Sequence, residues 1–293
     1  MAELERMGEF LGTVRQGPLM TSKPSRRKET VKCVTCGRDF ETTVWIRHDG
    51  TELPPDTLCQ ECQQEKRRRE EIERCKKELE EVRELQRDRW YEEYGVSGMF
   101  IEKTFDNFKH ELQPKAFNAV KGFKDHSLVL LSPGAYGVGK THLVCALANH
   151  LVATEETAGF RPGSYAIIRH RCPVHFTTEQ KLLARIRQTY NRRDVDDGET
   201  EEDVYNALAK FPLLIIDDVG KVRPRDYSFL QGVYFRIIDD RYVNEDKIIL
   251  TTNLDFRELE EHIGGASADR LREMCGKNGF IKMTGKSYRH GQG

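Results

Sequence analysis

The chain has 293 residues, of which 38% are hydrophobic and 32% charged, with a formal net charge of −1. That length accommodates one α/β domain of roughly 200 residues plus a smaller appendage, and the charge balance excludes a global field drawing the molecule to nucleic acid, so any such contact must be local. The opening MAELERMGEF lacks a basic, apolar leader and no apolar run reaches the roughly 18 residues that span a bilayer, so a cytoplasmic protein with no membrane segment is expected.

Residues 1–30 are polar, without a hydrophobic period, and read as a flexible arm. Residues 31–63 change character. Cys33-x2-Cys36 and Cys59-x2-Cys62 bracket a short alternation at Thr43, Val44, Trp45 and Ile46 and turn-forming His48-Asp49-Gly50 and Pro54-Pro55, as in a small β-ribbon. In a reducing compartment two such thiolate pairs suit a closed, tetrahedral Zn2+ site better than disulfides. Between Lys23 and Cys62 acids and bases balance at seven each, which favours docking to a protein over general DNA binding.

Residues 64–94 contain no Gly or Pro before Gly95, and Ile72, Cys75, Leu79 and Val82 recur at helical spacing. One long charged linker helix is expected, either solvated and held by Glu–Lys pairs or offering a coiled-coil face to a partner. Over 95–293 strand-like and helix-like segments alternate, which predicts an α/β domain with a mainly parallel sheet covered on both faces. Strands are expected at 128–131, 173–177, 213–216 and 248–251. Helices are expected after the glycine loop, over 178–193, up to Lys210 and over 227–242, with an acidic loop at 194–202.

The first strand runs into Gly134-Ala135-Tyr136-Gly137-Val138-Gly139-Lys140-Thr141, a P-loop in its strand–loop–helix setting, followed by His142. Its glycines let backbone N–H groups face phosphate oxygens, Lys140 reaches the β- and γ-phosphates of ATP, and Thr141 offers a hydroxyl to Mg2+. The third strand ends in Asp217-Asp218: Asp217 is placed to hold the Mg2+ and Asp218 to orient or deprotonate the attacking water. Asn253, after the fourth strand, is either a partner of that water or of the γ-phosphate, or a turn former. The helix after the second strand carries Lys181, Arg185, Arg187, Tyr190, Arg192 and Arg193, a face suited to single-stranded DNA or simply to solvent.

Taken in this order, with Thr104-Phe105-Asp106-Asn107-Phe108 before them and Asp269-Arg270-Leu271-Arg272-Glu273-Met274 after, these features resemble the AAA+ ATPases of the DnaC/DnaI helicase-loader family over the last two-thirds of the chain. The IstB transposition ATPases share that core. The resemblance implies a P-loop AAA+ sheet ordered 5-1-4-3-2, homo-oligomerisation around nucleotide, and delivery of a replicative hexameric helicase onto single-stranded DNA. It also implies an arginine finger at Arg270, with Arg272 the competitor; the roughly 20 residues after Arg270 depart from many AAA+ proteins in leaving no room for a helical lid with a second sensor arginine, and Arg289, the one late arginine that could substitute, reads rather as a surface cation. An IstB-like partnership with a transposase, or a nucleotide-gated adaptor with little turnover, are the alternative readings.

Overall fold

In the computed structural model residues 25–124, 126–190, 198–223, 227–285 and 287–288 are described, and they fall into two units, one up to Lys76 and one from Lys77. In the first unit β1 (Ser25–Lys32) pairs antiparallel with β2 (Asp39–Ile46), Ser25 opposite Ile46 and Lys32 opposite Asp39. The ribbon therefore starts inside the stretch expected to be an arm. Its β1 sequence shows no apolar alternation because that strand is exposed almost throughout, and it is held by the backbone ladder to β2, where Thr42 and Val44 are the buried side chains.

Helix α1 (Gln60–Glu93) continues across the boundary between the units. Its first half is exposed and carries ion pairs such as Arg69–Glu65 and Lys76–Glu73, both 2.9 Å, worth a few tenths of a kcal/mol each. From Lys77 onward the helix is not the solvated linker that the charge pattern suggested, nor is it left open for a coiled coil. It belongs to the second unit, where Leu79, Gln86 and Trp90 are buried. Arg83 Nε donates to Ala158 O (2.9 Å) and Gln86 Nε2 to His170 O (3.1 Å), so polar side chains that look solvated in the sequence satisfy backbone carbonyls.

The rest of the second unit follows as α2 (Pro114–Lys121), β3 (Leu128–Leu131), α3 (Lys140–Thr154), β4 (Ala158–Phe160), β5 (Ile167–Arg169), β6 (Val174–Thr178) and α4 (Glu179–Tyr190). Then come α5 (Glu201–Ala209), β7 (Leu213–Val219), α6 (Ser228–Val243), β8 (Lys247–Thr252), α7 (Phe256–Ile263), α8 (Gly265–Cys275) and β9 (Phe280–Lys282). One sheet, β6-β7-β8-β3-β9, is parallel throughout. Numbering only its own strands along the chain, the order is 5-1-4-3-2, as the resemblance implied. Its central strands are apolar runs because both faces are covered: Trp90, Val120, Leu143 and Leu147 pack on one, and Leu183, Ile186, Tyr234, Leu259 and Leu271 on the other.

Three differences from expectation have local causes. Helix α5 starts at Glu201, inside the expected acidic loop, because Thr200 and Asp203 form a capping box, Thr200 N donating to Asp203 Oδ2 (2.8 Å) and Asp203 N to Thr200 Oγ1 (3.1 Å). The β4–β5 hairpin was not anticipated, its three-residue strands being too short to show a period. Helix α7 was missed although Asp255 and Glu258 form its capping box. The end of the expected helix over 178–193, with Arg192 and Arg193, lies outside the described residues, as does Arg289. Among the described residues no helix is long and apolar enough to cross a membrane.

Because the second half of α1 is part of the second unit, Trp90→Ala, at a site 1% exposed, should destabilise that unit by about 3–5 kcal/mol. Leu85→Ala, at a site 69% exposed, should change stability by no more than about 0.5 kcal/mol. Urea unfolding followed by near-ultraviolet circular dichroism checks the pair; equal, small effects would return this half of the helix to the role of linker.

Candidate nucleotide and metal sites

The P-loop joins β3 to α3 at the carboxyl edge of the sheet, where the first N–H groups of α3 are left for an anion. Gly139 shows why the loop needs glycine: its φ is +96°, and a Cβ there would meet the Phe108 ring at 2.6 Å. Lys140 is buried, its Nζ donating to Ser132 Oγ and to Asn253 Oδ1 (2.6 Å). Ser132 Oγ in turn donates to Ala135 O at 2.7 Å. The ammonium thus bridges the start of the P-loop and the end of β8.

Two strands away, β7 changes register between Ile216 and Val219. At that irregularity Asp218 takes φ +61°, a conformation aspartate tolerates better than most residues, so the two neighbouring carboxylates are aimed differently. Asp217 is buried and accepts from Thr141 Oγ1 (2.9 Å to Oδ2) and Thr251 Oγ1 (2.5 Å to Oδ1). Burial first, and the neighbouring Asp218 charge second, push its carboxyl up to about 6, against the opposing pull of those hydroxyls. Asp218 lines the open cleft, its backbone N–H bound to Thr251 Oγ1 (3.0 Å) and its Oδ2 accepting from Lys221 Nζ (2.5 Å).

Lys140, Thr141, Asp218, Lys221 and Asn253 border a cleft of about 510 Å³ whose wall also includes Tyr136, Gly137, Val138, Gly139 and His142, while Asp217 lies behind it against Thr141. Gly134 and Ala135 belong to the loop without lining the cleft; Ala135 N returns to Ser132 O at 3.0 Å. The opposite wall is the segment containing Met99, Phe100, Lys103, Asn107 and Phe108. It is strapped to α3 by Asn149, whose Nδ2 donates to the carbonyls of Phe100 and Lys103 (3.0 and 2.8 Å), and by His142, whose Nε2 lies 2.8 Å from Asn107 Oδ1. Burial holds the His142 imidazole below its ordinary value. Tyr288 closes the far side, its N–H donating to Gly137 O (3.0 Å).

The structure therefore brings together Lys140, Thr141, Asp217, Asp218 and Asn253. Sequence reasoning missed Ser132, Lys221 and Tyr288. Arg270 is not in the cleft: on α8 it is held by Asp239 (Nε to Oδ1 2.8 Å) and stacks on Phe235, while Arg272 reaches Glu260 (3.2 Å) and lies over Phe256. On α4 Arg185 pairs with Glu199 (Nε to Oε2 2.9 Å), Arg187 stacks on Phe229, and the Tyr190 hydroxyl donates to Glu201 (2.6 Å). Lys181 is exposed.

In the first unit the sulfurs of Cys33, Cys36, Cys59 and Cys62 all lie within 4.8 Å of one another. Cys36 Sγ and Cys59 Sγ are 3.7 Å apart, close to the ~3.8 Å edge of a tetrahedron with Zn–S bonds of about 2.3 Å. The donor set fits zinc. Backbone N–H groups of Cys59 and Cys36 hold the Cys33 thiol down to about 6, and Arg38, through its backbone and its guanidinium (Nε to Sγ 3.3 Å), lowers Cys36. Cys62 is pushed up to about 12, chiefly by its hydrogen bond with Cys59, as one of four crowded sulfurs that would otherwise share negative charge. The other cysteines stand outside this cluster; Cys145, Cys172 and Cys275 are buried.

A five-stranded parallel sheet ordered 5-1-4-3-2, a P-loop after its first strand and a carboxylate pair in the last residues of its third together define an AAA+ nucleotide-binding unit. The family model described as IstB-like ATP binding protein matches residues 101–292, and the chain belongs to that family. Its core is DnaC-like: it is 25% identical over 201 residues to the replicative helicase loader DnaC of Buchnera aphidicola subsp. Baizongia pistaciae, covering 67% of this chain and 72% of that one. It is 24% identical over 215 residues to the protein of the same name from Escherichia coli K12, covering 71% and 78%. A solved structure described as the DnaC helicase loader superposes with a TM-score of 0.48 at 20% identity, over 64% of this chain and all of that one.

The Asp217 carboxyl gives a test that does not depend on turnover. Because its folded-state pKa is raised, the protein is relieved of an unfavourable charge below the ordinary carboxylate value and loses that stability as pH rises through about 6. Asp217→Asn should therefore stabilise the nucleotide-free protein in chelator by about 1–3 kcal/mol at pH 8, with a gain that shrinks toward pH 5. A thermal-melt series across pH reads this, and a gain independent of pH would contradict the burial argument.

Proposed function

We propose that this chain is an ATP- and Mg2+-dependent helicase loader of DNA replication, acting in the cytoplasm as a homo-oligomer to deliver a replicative hexameric helicase onto single-stranded DNA. The observation that supports this best is the convergence of Lys140, Thr141, Asp217, Asp218 and Asn253 on one cleft, in a core whose curated relatives carry the name replicative helicase loader.

In that reading Lys140 gives up its contacts to Ser132 and Asn253 for the β- and γ-phosphates, and the α3 N-terminus cradles them. Thr141 and Asp217, already side by side, hold Mg2+, which when bound neutralises phosphate charge. Asp218 leaves Lys221 to orient the attacking water, with the Asn253 amide beside it. The segment 99–108 and Tyr288 border the space left for the nucleoside. The first unit holds one Zn2+ through Cys33, Cys36, Cys59 and Cys62 as a structural ion, and its balanced surface charge suits a protein partner. Lys181, Arg185, Arg187 and Tyr190, with Arg192 and Arg193, are candidates for the single strand, although Arg185, Arg187 and Tyr190 must first exchange partners within the chain.

Co-purification tests the partner. A hexameric replicative helicase should be retained by the wild-type protein and loaded onto circular single-stranded DNA only with ATP; capture of a transposase and no helicase would overturn the reading. Arg270 is assigned the finger in trans, since it lies on α8 away from the cleft of its own chain. Arg270→Ala should keep ATP binding and lose about 10³-fold or more in turnover. Mixing it with Lys140→Ala subunits should restore a fraction of the rate, because an intact cleft can then meet an intact finger; wild-type turnover in the single variant would give the role to Arg272 or to neither.

A further inference from the structure

The β4–β5 hairpin is not used by the nucleotide site. It is inserted between α3 and β6: Ala158 pairs with Arg169, Gly159 with Ile168 and Phe160 with Ile167. The turn is closed by Arg161 N to Ala166 O (2.8 Å) and Ser164 N to Arg161 O (3.0 Å), with Gly163 at φ +73°. Its foot is fixed to the rest of the unit by α1, since Arg83 Nε donates to Ala158 O, Thr157 Oγ1 to Arg83 O (3.0 Å) and Gln86 Nε2 to His170 O. Its tip is exposed. The hairpin is therefore a short projection on a fixed base.

Its chemistry is one-sided. No Asp or Glu occurs between Glu156 and Glu179, in a chain that holds 48 acids, and the same stretch carries Arg161, Arg169 and Arg171. All three arginines are at least partly exposed, and among the described residues no carboxylate pairs with any of them. Tyr165, 49% exposed, stands edge-on to Phe160 at 5.9 Å, which fixes its ring while leaving a face to solvent. The α4 face differs, because Arg185 and Tyr190 there are already engaged by Glu199 and Glu201. A cation that has no partner to give up binds a phosphate at lower cost than one that does.

We propose that the β4–β5 hairpin is a contact for single-stranded nucleic acid, with Arg161, Arg169 and Arg171 on phosphates and Tyr165 stacked on a base. Arg169 ends β5 and Arg171 follows it two residues on, within the roughly 7 Å that two residues of extended chain span, a step that two successive phosphates of a stretched strand can follow. An acidic protein surface would answer the arginines too, but an exposed ring held beside phosphate-binding cations suits a single strand, in which every base offers a π-face. The site is also separate from the nucleotide cleft. Helix α3 begins at the carboxyl edge of the sheet and runs back along it, so the hairpin that follows sits at the amino edge, and none of its residues lines the cleft. The inference rests on the single-strand part of the proposed function and deepens it by naming the surface.

Fluorescence anisotropy of a labelled oligo(dT), titrated at several salt concentrations with ATP present, tests it. Arg161→Ala/Arg169→Ala/Arg171→Ala should weaken binding at least tenfold at low salt and flatten the slope of log Kobs against log [salt] by about 2, near 0.7 for each phosphate that an arginine no longer neutralises. Tyr165→Ala should weaken binding about fivefold or more with the salt slope unchanged, because stacking releases no counterions. ATP affinity should be the same in both variants, which also reports that they fold. Wild-type isotherms and slopes in the variants would overturn the hairpin assignment while leaving the loader reading standing. Loss of helicase retention with an unaltered oligo(dT) isotherm would assign the hairpin to an acidic protein instead, and absence of binding by the wild-type protein would remove the single-strand reading together with the hairpin.

Discussion

Keeping the Lys140 ammonium and the Asp217 carboxylate, 6% and 2% exposed, at one edge of a parallel sheet is the constraint around which the second unit is arranged. A buried charge without partners costs several kcal/mol, so each must be surrounded by groups that answer it. Lys140 has Ser132 and Asn253; Asp217 has Thr141 and Thr251. Those partners come from β3, α3 and β8, so the strand order that puts β8 between β3 and β7 is also what closes the network. The Ser132 and Asn253 oxygens on the lysine and the hydroxyl donors on the aspartate are groups that phosphate and a hard cation can replace without leaving an unpaired charge behind.

The same arrangement explains why the P-loop is bracketed by segments far apart in sequence. The loop backbone must keep its N–H groups turned outward, which needs positive φ at its glycines and a firm surface behind them. Phe108 supplies that surface at Gly139, and the Tyr288 N–H ties down Gly137 O. His142 and Asn149 bind the segment before α2 to α3, so the wall of the cleft is tied to the helix that carries the phosphate cradle. Asp218 is the exception, lining the open cleft and held by a surface lysine. Such an ion pair, near a partly open cleft, is weak enough to be exchanged.

Most of the sheet and the chemistry was legible in the sequence because it is carried by local patterns. Apolar runs at 128–131 and 213–216 announce strands covered on both faces, the P-loop follows the first of them, and Asp217-Asp218 follow the apolar run of the other, inside a strand that continues to Val219. Four cysteines at two fixed spacings announce a cluster of sulfurs that could hold a metal ion. What stayed hidden depends on long-range contact. Arg83, Gln86 and Trp90 lie in the most charged part of the chain, and nothing nearby tells that the partners of Arg83 and Gln86 are carbonyls some 80 residues away. Ser132, Lys221 and Tyr288 are ordinary residues until the fold places them beside Lys140, Asp218 and Phe108. Strands of three residues, as in β4 and β5, are too short for any period to show.

The account stands on Lys140 as the group that receives nucleotide phosphate in this cleft. Titrating a fluorescent ATP analogue with Mg2+ against the wild-type protein and Lys140→Ala measures this directly. Saturable binding to the wild type and at least a hundredfold loss in the variant is the predicted result, since no other loop side chain can neutralise the β- and γ-phosphates. Equal affinity in a variant that melts like the wild type would contradict it and detach the cleft from ATP.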